Sequence, residues 1–497
     1  MYKVAFDNNL YIKMQSEKIK ERIAHFGGKL YLEFGGKLFD DYHASRVLPG
    51  FEPDSKVRML SELKDDAEVV IVINADDIEK NKERGDLSIT YDQDVLRLID
   101  AFRGIGLFVG SVVLTRYKEQ ASAMHFESRL HDLGIRVYRH YSIPGYPADL
   151  DTIVSDNGYG KNDYIETERN LVVITAPGPG SGKMATCLSQ LYHDHKRGLR
   201  SGYAKFETFP IWNIPLSHPV NIAYEAATAD LNDVNMIDPY HLEAYGQTTV
   251  NYNRDVEIFP VVSAMLKLVS GEECPYKSPT DMGVNMAGYC IIDDEAARNA
   301  SEDEIIRRYY AALIDQRRGK SDGSEVLKIK LLMNKAGITT DKRSCIKAAL
   351  DKAESTGAPA VGWELPNGTI VTGKTSSLMG AVSAALINAL KVVSRIPDDI
   401  QLISEDILAP VQDLKVNYLG NHNPRLHTDE VLIALAISAQ TNPVAKRAFK
   451  SIGKLKNSEV HSTVILSQVD ENVLKKLGCH LTCEPVYQTK KLFHGSN

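Results

Sequence analysis

The stretch Ala176-Pro-Gly-Pro-Gly-Ser-Gly-Lys183 sets three glycines, a serine and a lysine between a Val/Ile-rich run, Leu171–Thr175, and a helical pattern. Glycines at 178, 180 and 182 let successive backbone N–H groups turn toward one oxyanion. Lys183 stands where its ammonium reaches a terminal phosphate. A helix beginning at the lysine adds its own unpaired N–H groups and dipole. The candidate phosphate cradle is therefore Gly178, Gly180, Ser181, Gly182, Lys183 and Thr186. The stretch departs from the nucleotide-binding pattern in two places. Pro177 occupies the first glycine position, and Met184 stands where a hydroxyl would hold a metal. Thr186 lies about 300° around the helix from Lys183, on the same face and one turn deeper. The plain alternative is a tight strand-to-helix turn carrying a surface lysine.

Further stretches carry chemical residue types. Gly35–Phe51 follows the first clear strand and holds Lys37, Asp40, Asp41, His43 and Arg46. In an open parallel sheet, loops leaving the carboxyl ends of strands line the ligand crevice. Lys37 and Arg46 fit the anionic part of a substrate, Arg46 in bidentate fashion. Asp40 is a candidate catalytic acid and Asp41 a candidate metal ligand; helix capping is the other use for such residues. Asp76 and Asp77 follow the second strand and serve equally as caps or ligands. The polar segment 227–257 contains Asp230 and Asp233, oxygen donors suited to Mg²⁺. Cys479 and Cys483 in CHLTC share one face of a strand, and their spacing fits core thiols better than zinc.

These residues need a frame. Short apolar runs at 29–34, 67–75, 107–116, 135–141 and 171–175 alternate with helical patterns that end in Gly. This predicts an α/β domain over 1–250 with a doubly wound, mostly parallel sheet. Residues 251–322 read as a small helical domain, with Ser301 and Glu304 at capping-box spacing. Residues 323–497 return to α/β. EVLKIKLLMN and STVILS read as strands, AVGWELPNGTIVTG as a hairpin around Pro-Asn-Gly, and SSLMGAVSAALINALKVV as a helix.

The net charge of -7 with mixed signs argues against a nucleic-acid surface. No run approaches the roughly 20 apolar residues of a membrane helix. The first twenty residues lack the apolar core of a signal peptide, and six scattered cysteines suit a reducing compartment. The expectation is a cytoplasmic protein.

GGKLFDDYHASRVLPGF, APGPGSGKMATCLSQLYHDH, VNYNRDVE and SPTDMGVN together resemble an uncharacterised bacterial protein family of about this length. The resemblance implies an α/β first part, a helical middle and an α/β last part, and no activity. Residues 360–390 also resemble the hairpin-then-helix opening of the cytidine-deaminase fold. Deaminases hold zinc at the start of that helix. Here Thr375–Ala384 contains no His, Cys or Glu, so no zinc is expected.

Three readings follow. The first is an ATP- and Mg²⁺-dependent ligase- or kinase-like enzyme, with Lys183 stabilising phosphoryl transfer and Lys37 and Arg46 binding a second substrate. The second binds a phosphorylated metabolite without hydrolysing nucleotide. The third is a non-catalytic scaffold. A small phosphorylated ligand and a homo-oligomeric state are expected, with no nucleic-acid or membrane partner.

Overall fold

The computed structural model describes residues 3–36, 38–39, 41–84 and 89–488. Lys37 and Asp40 lie outside the described residues. The chain divides into two compact units. One comprises Val4–Glu225 with Asn232–Arg298. The other comprises Ala226–Leu231 and Asn299–Asn497, together with Met1–Lys3. The stretch read as a helical middle domain is thus divided between them.

The first unit is built on a seven-stranded sheet. From one edge, its strands are Gly283–Val284, Gly202–Phe206, Leu30–Phe34, Leu171–Thr175, Ala67–Asn74, Phe108–Tyr117 and Arg136–Tyr141, every neighbouring pair parallel. The central strands are buried along their whole length, as their continuous Val, Ile and Leu demand of a sheet covered on both faces. Chain order matters for function. The strand Leu30–Phe34 connects toward one edge and Gly202–Phe206 toward the other, although the two are neighbours. Their carboxyl ends flank a topological switch point, where diverging connections leave a crevice. Helices Lys183–Lys196 and Asn253–Ser270 pack over this part of the sheet, through Leu188, Leu191, Phe259, Val262 and Met265.

The second unit contains a four-stranded sheet in the order Ile370–Lys374, Ala360–Glu364, Glu459–Ser462, His480–Cys483. The expected hairpin pairs Ala360 with Lys374 and Glu364 with Ile370. The helix Ala381–Val393 supplies Ala385, Leu386 and Ala389 to the core around Trp363.

Three local expectations are corrected. Residues Ser324–Ala336 form a helix, not a strand. Val326, Ile329, Leu332 and Met333 are its buried residues, at the three- and four-residue spacing of one helical face. Of STVILS only Ser462 is in a strand, which runs from Glu459. Ser301 does not open a helix but sits inside Asp294–Arg317, whose first turn carries Asp294 and Glu295.

Candidate functional site

The loop after Leu171–Thr175 leads into the fourteen-residue helix Lys183–Lys196, which has no side-chain cap. Its N-cap, Gly182, adopts φ 92°, a left-handed conformation open to glycine at little cost. A Cβ there would also meet the Thr115 side chain at 3.1 Å. A Cβ on Gly178 would collide with the Tyr91 hydroxyl at 2.2 Å. The loop is pinned from inside: Ser181 Oγ donates to the Gly178 carbonyl at 2.7 Å, and Thr115 Oγ1 donates to the Ser181 carbonyl at 2.7 Å. Ser181 is therefore a loop brace. Thr186 is fully buried, and its hydroxyl has no hydrogen-bond partner among the described residues.

Beside Lys183 the switch point holds a row of charges. Glu33 and Lys205 occupy paired register positions on neighbouring strands. Alternation puts both side chains on the face that also carries Tyr31 and Tyr203. Two residues beyond Lys205 comes Glu207, and the first turn of Asn253–Ser270 contributes Asp255. Glu33, Lys205, Glu207 and Asp255 are each less than one-tenth exposed. Lys205 Nζ lies 2.8 Å from Glu207 Oε1 and forms an ion pair with Asp255 and a hydrogen bond with the Tyr252 hydroxyl. Tyr252 donates to Glu207 at 3.2 Å, and Tyr203 donates to Glu33 Oε2 at 2.7 Å.

Buried charges must be paired or neutralised. Burial works against the Lys205 ammonium, but Asp255, Glu207 and Glu33 together hold its pKa above the usual lysine value. Burial pushes the Glu207 carboxyl well up, against the pull of Lys205 and with Asp255 adding to the rise. Burial pushes the Lys183 ammonium down, while Glu33 pulls it back up and Lys205 and Arg254 add repulsion. Opposed shifts of this kind in one crevice make it the candidate site of the first unit.

The structure distributes the residues expected from sequence as follows. Gly178, Gly180, Ser181, Gly182, Lys183 and Thr186 form one loop and helix start. Asp41 caps the helix Tyr42–Val47, accepting from Ala44 N at 3.2 Å, and pairs with buried Lys56 at 2.8 Å. Burial raises the cost of the Asp41 charge, yet Lys56 keeps its carboxyl below the ordinary range. Arg46 lies in the last turn of that helix, partly buried. Asp233 is buried and gripped by Arg254, 2.6 Å from its Nε. Asp230 is exposed in the short turn Ala229–Leu231, which belongs to the second unit.

Against this geometry, two descriptions match the sequence: domain of unknown function DUF1846, N-terminal, over residues 4–337, and DUF1846, C-terminal, over residues 341–493. The chain belongs to the DUF1846 family. Relatives include a UPF0371 protein of Streptococcus sanguinis, 59% identical over 99% of this chain and 100% of its own length. UPF0371 proteins of Streptococcus pneumoniae and Streptococcus pyogenes are 58% identical over the same shares. The bacterial family expected from four sequence stretches is thus the family to which the chain belongs, over nearly its whole length.

Glu33, Lys205, Glu207 and Tyr252 are the members of this row that motif reasoning missed; Asp255 stood within the polar segment 227–257. The signal was present in Gly202–Phe209, GYAKFETF, where lysine and glutamate stand two apart in a run otherwise apolar and aromatic. Charges at period two inside a buried strand share a face and must find partners.

Proposed function

We propose that this protein is an enzyme of small-molecule metabolism that grips the phosphate of a phosphorylated metabolite on the Gly178–Lys183 loop. The observation that carries the reading is the uncapped helix start at Lys183 standing beside the Glu33–Lys205–Glu207–Asp255 row at a strand switch point. The loop supplies N–H donors and a cation for the phosphate, and the row supplies acid–base groups for the rest of the ligand.

The nucleotide-dependent reading uses the same loop with ATP and Mg²⁺. It requires a metal-holding hydroxyl after the lysine and an acid free to share the metal. Position 184 is Met, and Asp41 and Asp233 are committed to Lys56 and Arg254. The metabolite reading is therefore preferred. The second unit, with its hairpin, following helix and a helix start lacking His, Cys and Glu, fits a deaminase-like fold without zinc. We assign it a role in homo-oligomer assembly, which light scattering on the purified chain tests. Cytoplasm is the compartment that fits six free cysteines.

The test of the loop is ³¹P NMR of glucose 6-phosphate and of AMP mixed with the protein. Line broadening and a shift with wild type, lost with Lys183→Ala, support the reading. Unchanged spectra with wild type overturn it.

A further inference from the structure

Three carboxylates crowd around one ammonium above the Leu30–Phe34 and Gly202–Phe206 strands. Glu33 is held by the Tyr203 hydroxyl, and Asp255 is the direct ion-pair partner of Lys205. Glu207 takes what remains: the same ammonium at 2.8 Å and the Tyr252 hydroxyl at 3.2 Å. In a site this buried, carboxylates in excess of their counter-charges do not all stay ionised, and one keeps a proton. Lys183, next to Glu33, does not redress the balance fully, because burial disfavours its own charge. Thr186, one turn after Lys183, adds a fully buried hydroxyl with no hydrogen-bond partner among the described residues.

We propose that Glu207 is the proton-transfer residue of this site. It is held as a carboxylic acid by its burial and by the neighbouring Asp255 carboxylate, with Lys205 and the Tyr252 hydroxyl placed to receive the charge once the proton leaves, and it gives its proton to an oxygen of the ligand whose phosphate sits on the Gly178–Lys183 loop. The proposal rests on the phosphate reading of that loop. The step is a proton transfer alone. The O–H bond of Glu207 breaks, an O–H bond forms at the ligand oxygen, and the electron pair left on the carboxylate is stabilised by the Lys205 ammonium. Reversal returns the proton, so no oxidant or reductant is consumed. The substrate class is a phosphorylated small molecule with a hydroxyl or carbonyl oxygen beyond its phosphate, as in sugar phosphates.

Two arms test this on the full-length chain. In the first, sulfate, a tetrahedral dianion that does not titrate near neutrality, and glucose 6-phosphate are titrated calorimetrically into wild type and Glu207→Gln. Two buffers of unlike ionisation heat reveal any proton uptake. An anion on the loop raises the proton affinity of a nearby acid, so wild type takes up part of a proton on binding sulfate. Glu207→Gln binds sulfate within a few-fold of wild type and takes up less, retaining only the share that belongs to Lys183. Equal uptake by both proteins overturns the role of Glu207, and absence of binding by wild type overturns the phosphate reading on which it rests.

The second arm needs no ligand. Burial, opposed by Lys205 and reinforced by Asp255, pushes Glu207 up to about 8. A carboxyl raised in the fold contributes stability below its unfolded pKa and loses it as pH rises through the folded value. Wild type therefore loses stability relative to Glu207→Gln between about pH 4.5 and 8, and the difference levels off above that. The other groups facing Glu207 are Lys205, Asp255, Tyr252 and Tyr224; Lys205 and the two tyrosines are held above their ordinary values and titrate outside this window. Parallel profiles overturn the proposal.

Discussion

Replacing Lys205 by methionine removes the one ammonium that Glu207 and Asp255 share, while keeping most of the side-chain volume. The lysine side chain is 8% exposed and its partners 5% and 6%, so solvent screens the interaction little. Breaking a buried ion pair by removing one partner costs about 3–5 kcal/mol, because the other charge stays buried and uncompensated. Glu207, already held largely as the acid at this pH, adds little to the loss; Asp255, in the first turn of Asn253–Ser270, keeps some support from the helix N-terminus. We expect about 4 kcal/mol at pH 7. Without the lysine the carboxylates titrate higher in the fold, so Lys205→Met becomes less stable as pH rises and recovers as pH falls toward 5.

The assay is urea unfolding followed by tryptophan fluorescence. The protein has two tryptophans, Trp212 in the first unit and Trp363 in the second, so a Trp363→Phe background reports the seven-stranded unit alone. With m about 3 kcal/mol/M, the midpoint falls by roughly 1.3 M. The triple variant Lys205→Met/Glu207→Gln/Asp255→Asn, which leaves neutral groups in place of the charges, regains at least half of the loss. A loss under about 1 kcal/mol, or one independent of pH, would refute the electrostatic argument.

Other consequences follow from the same reasoning. Gly182→Ala forces alanine into a left-handed conformation against Thr115 and costs about 1–2 kcal/mol, measured by the same unfolding assay. Gly178→Ala collides with Tyr91, and a second change, Tyr91→Ala, relieves it; circular dichroism melts of the single and double variants check the order. In the second unit, Arg307 and Arg343 share Glu459 at 2.8 and 2.6 Å. Glu459→Gln leaves two buried guanidinium groups undercompensated and costs about 3–5 kcal/mol in a Trp212→Phe background reporting on Trp363. Asp470, hydrogen-bonded to His427 Nδ1 at 2.9 Å, raises the histidine pKa. This stabilisation is present below the ordinary histidine value and fades as pH rises through the raised one. His427→Asn flattens that part of the stability–pH profile, and NMR titration of the His427 ring gives the folded value directly.

The parallel sheet was legible because its strands are continuous β-branched runs that only a doubly covered sheet can bury. Leu171–Thr175 and Ala67–Asn74 are buried as the pattern requires. The tight turn before Lys183–Lys196 was legible for a related reason: glycine at 182 supplies the left-handed conformation that its start requires. Ser324–Ala336 misled because KIKLL alternates like a strand over a few residues, and only the longer spacing from Val326 to Met333 reveals the helical face. The acid–lysine row was hidden because its members come from two strands and a helix far apart in sequence. Glu33 looked like an ordinary strand residue until the register paired it with Lys205. Asp41 and Asp233 drew attention as metal ligands by type alone, whereas their partners Lys56 and Arg254 are found only in the folded chain.

The most direct measurement of the central claim is a thermal-shift titration of wild type and Lys183→Ala with glucose 6-phosphate, AMP, inorganic phosphate, and ATP with and without Mg²⁺. A ligand that binds only the folded state adds about 2.7 kcal/mol at a hundredfold excess over Kd, which is several degrees in Tm. The account predicts a shift with glucose 6-phosphate or AMP that needs no Mg²⁺ and is lost in Lys183→Ala. No shift with any phosphate, or an equal shift in Lys183→Ala, would return the Gly178–Lys183 segment to a structural turn and contradict the account.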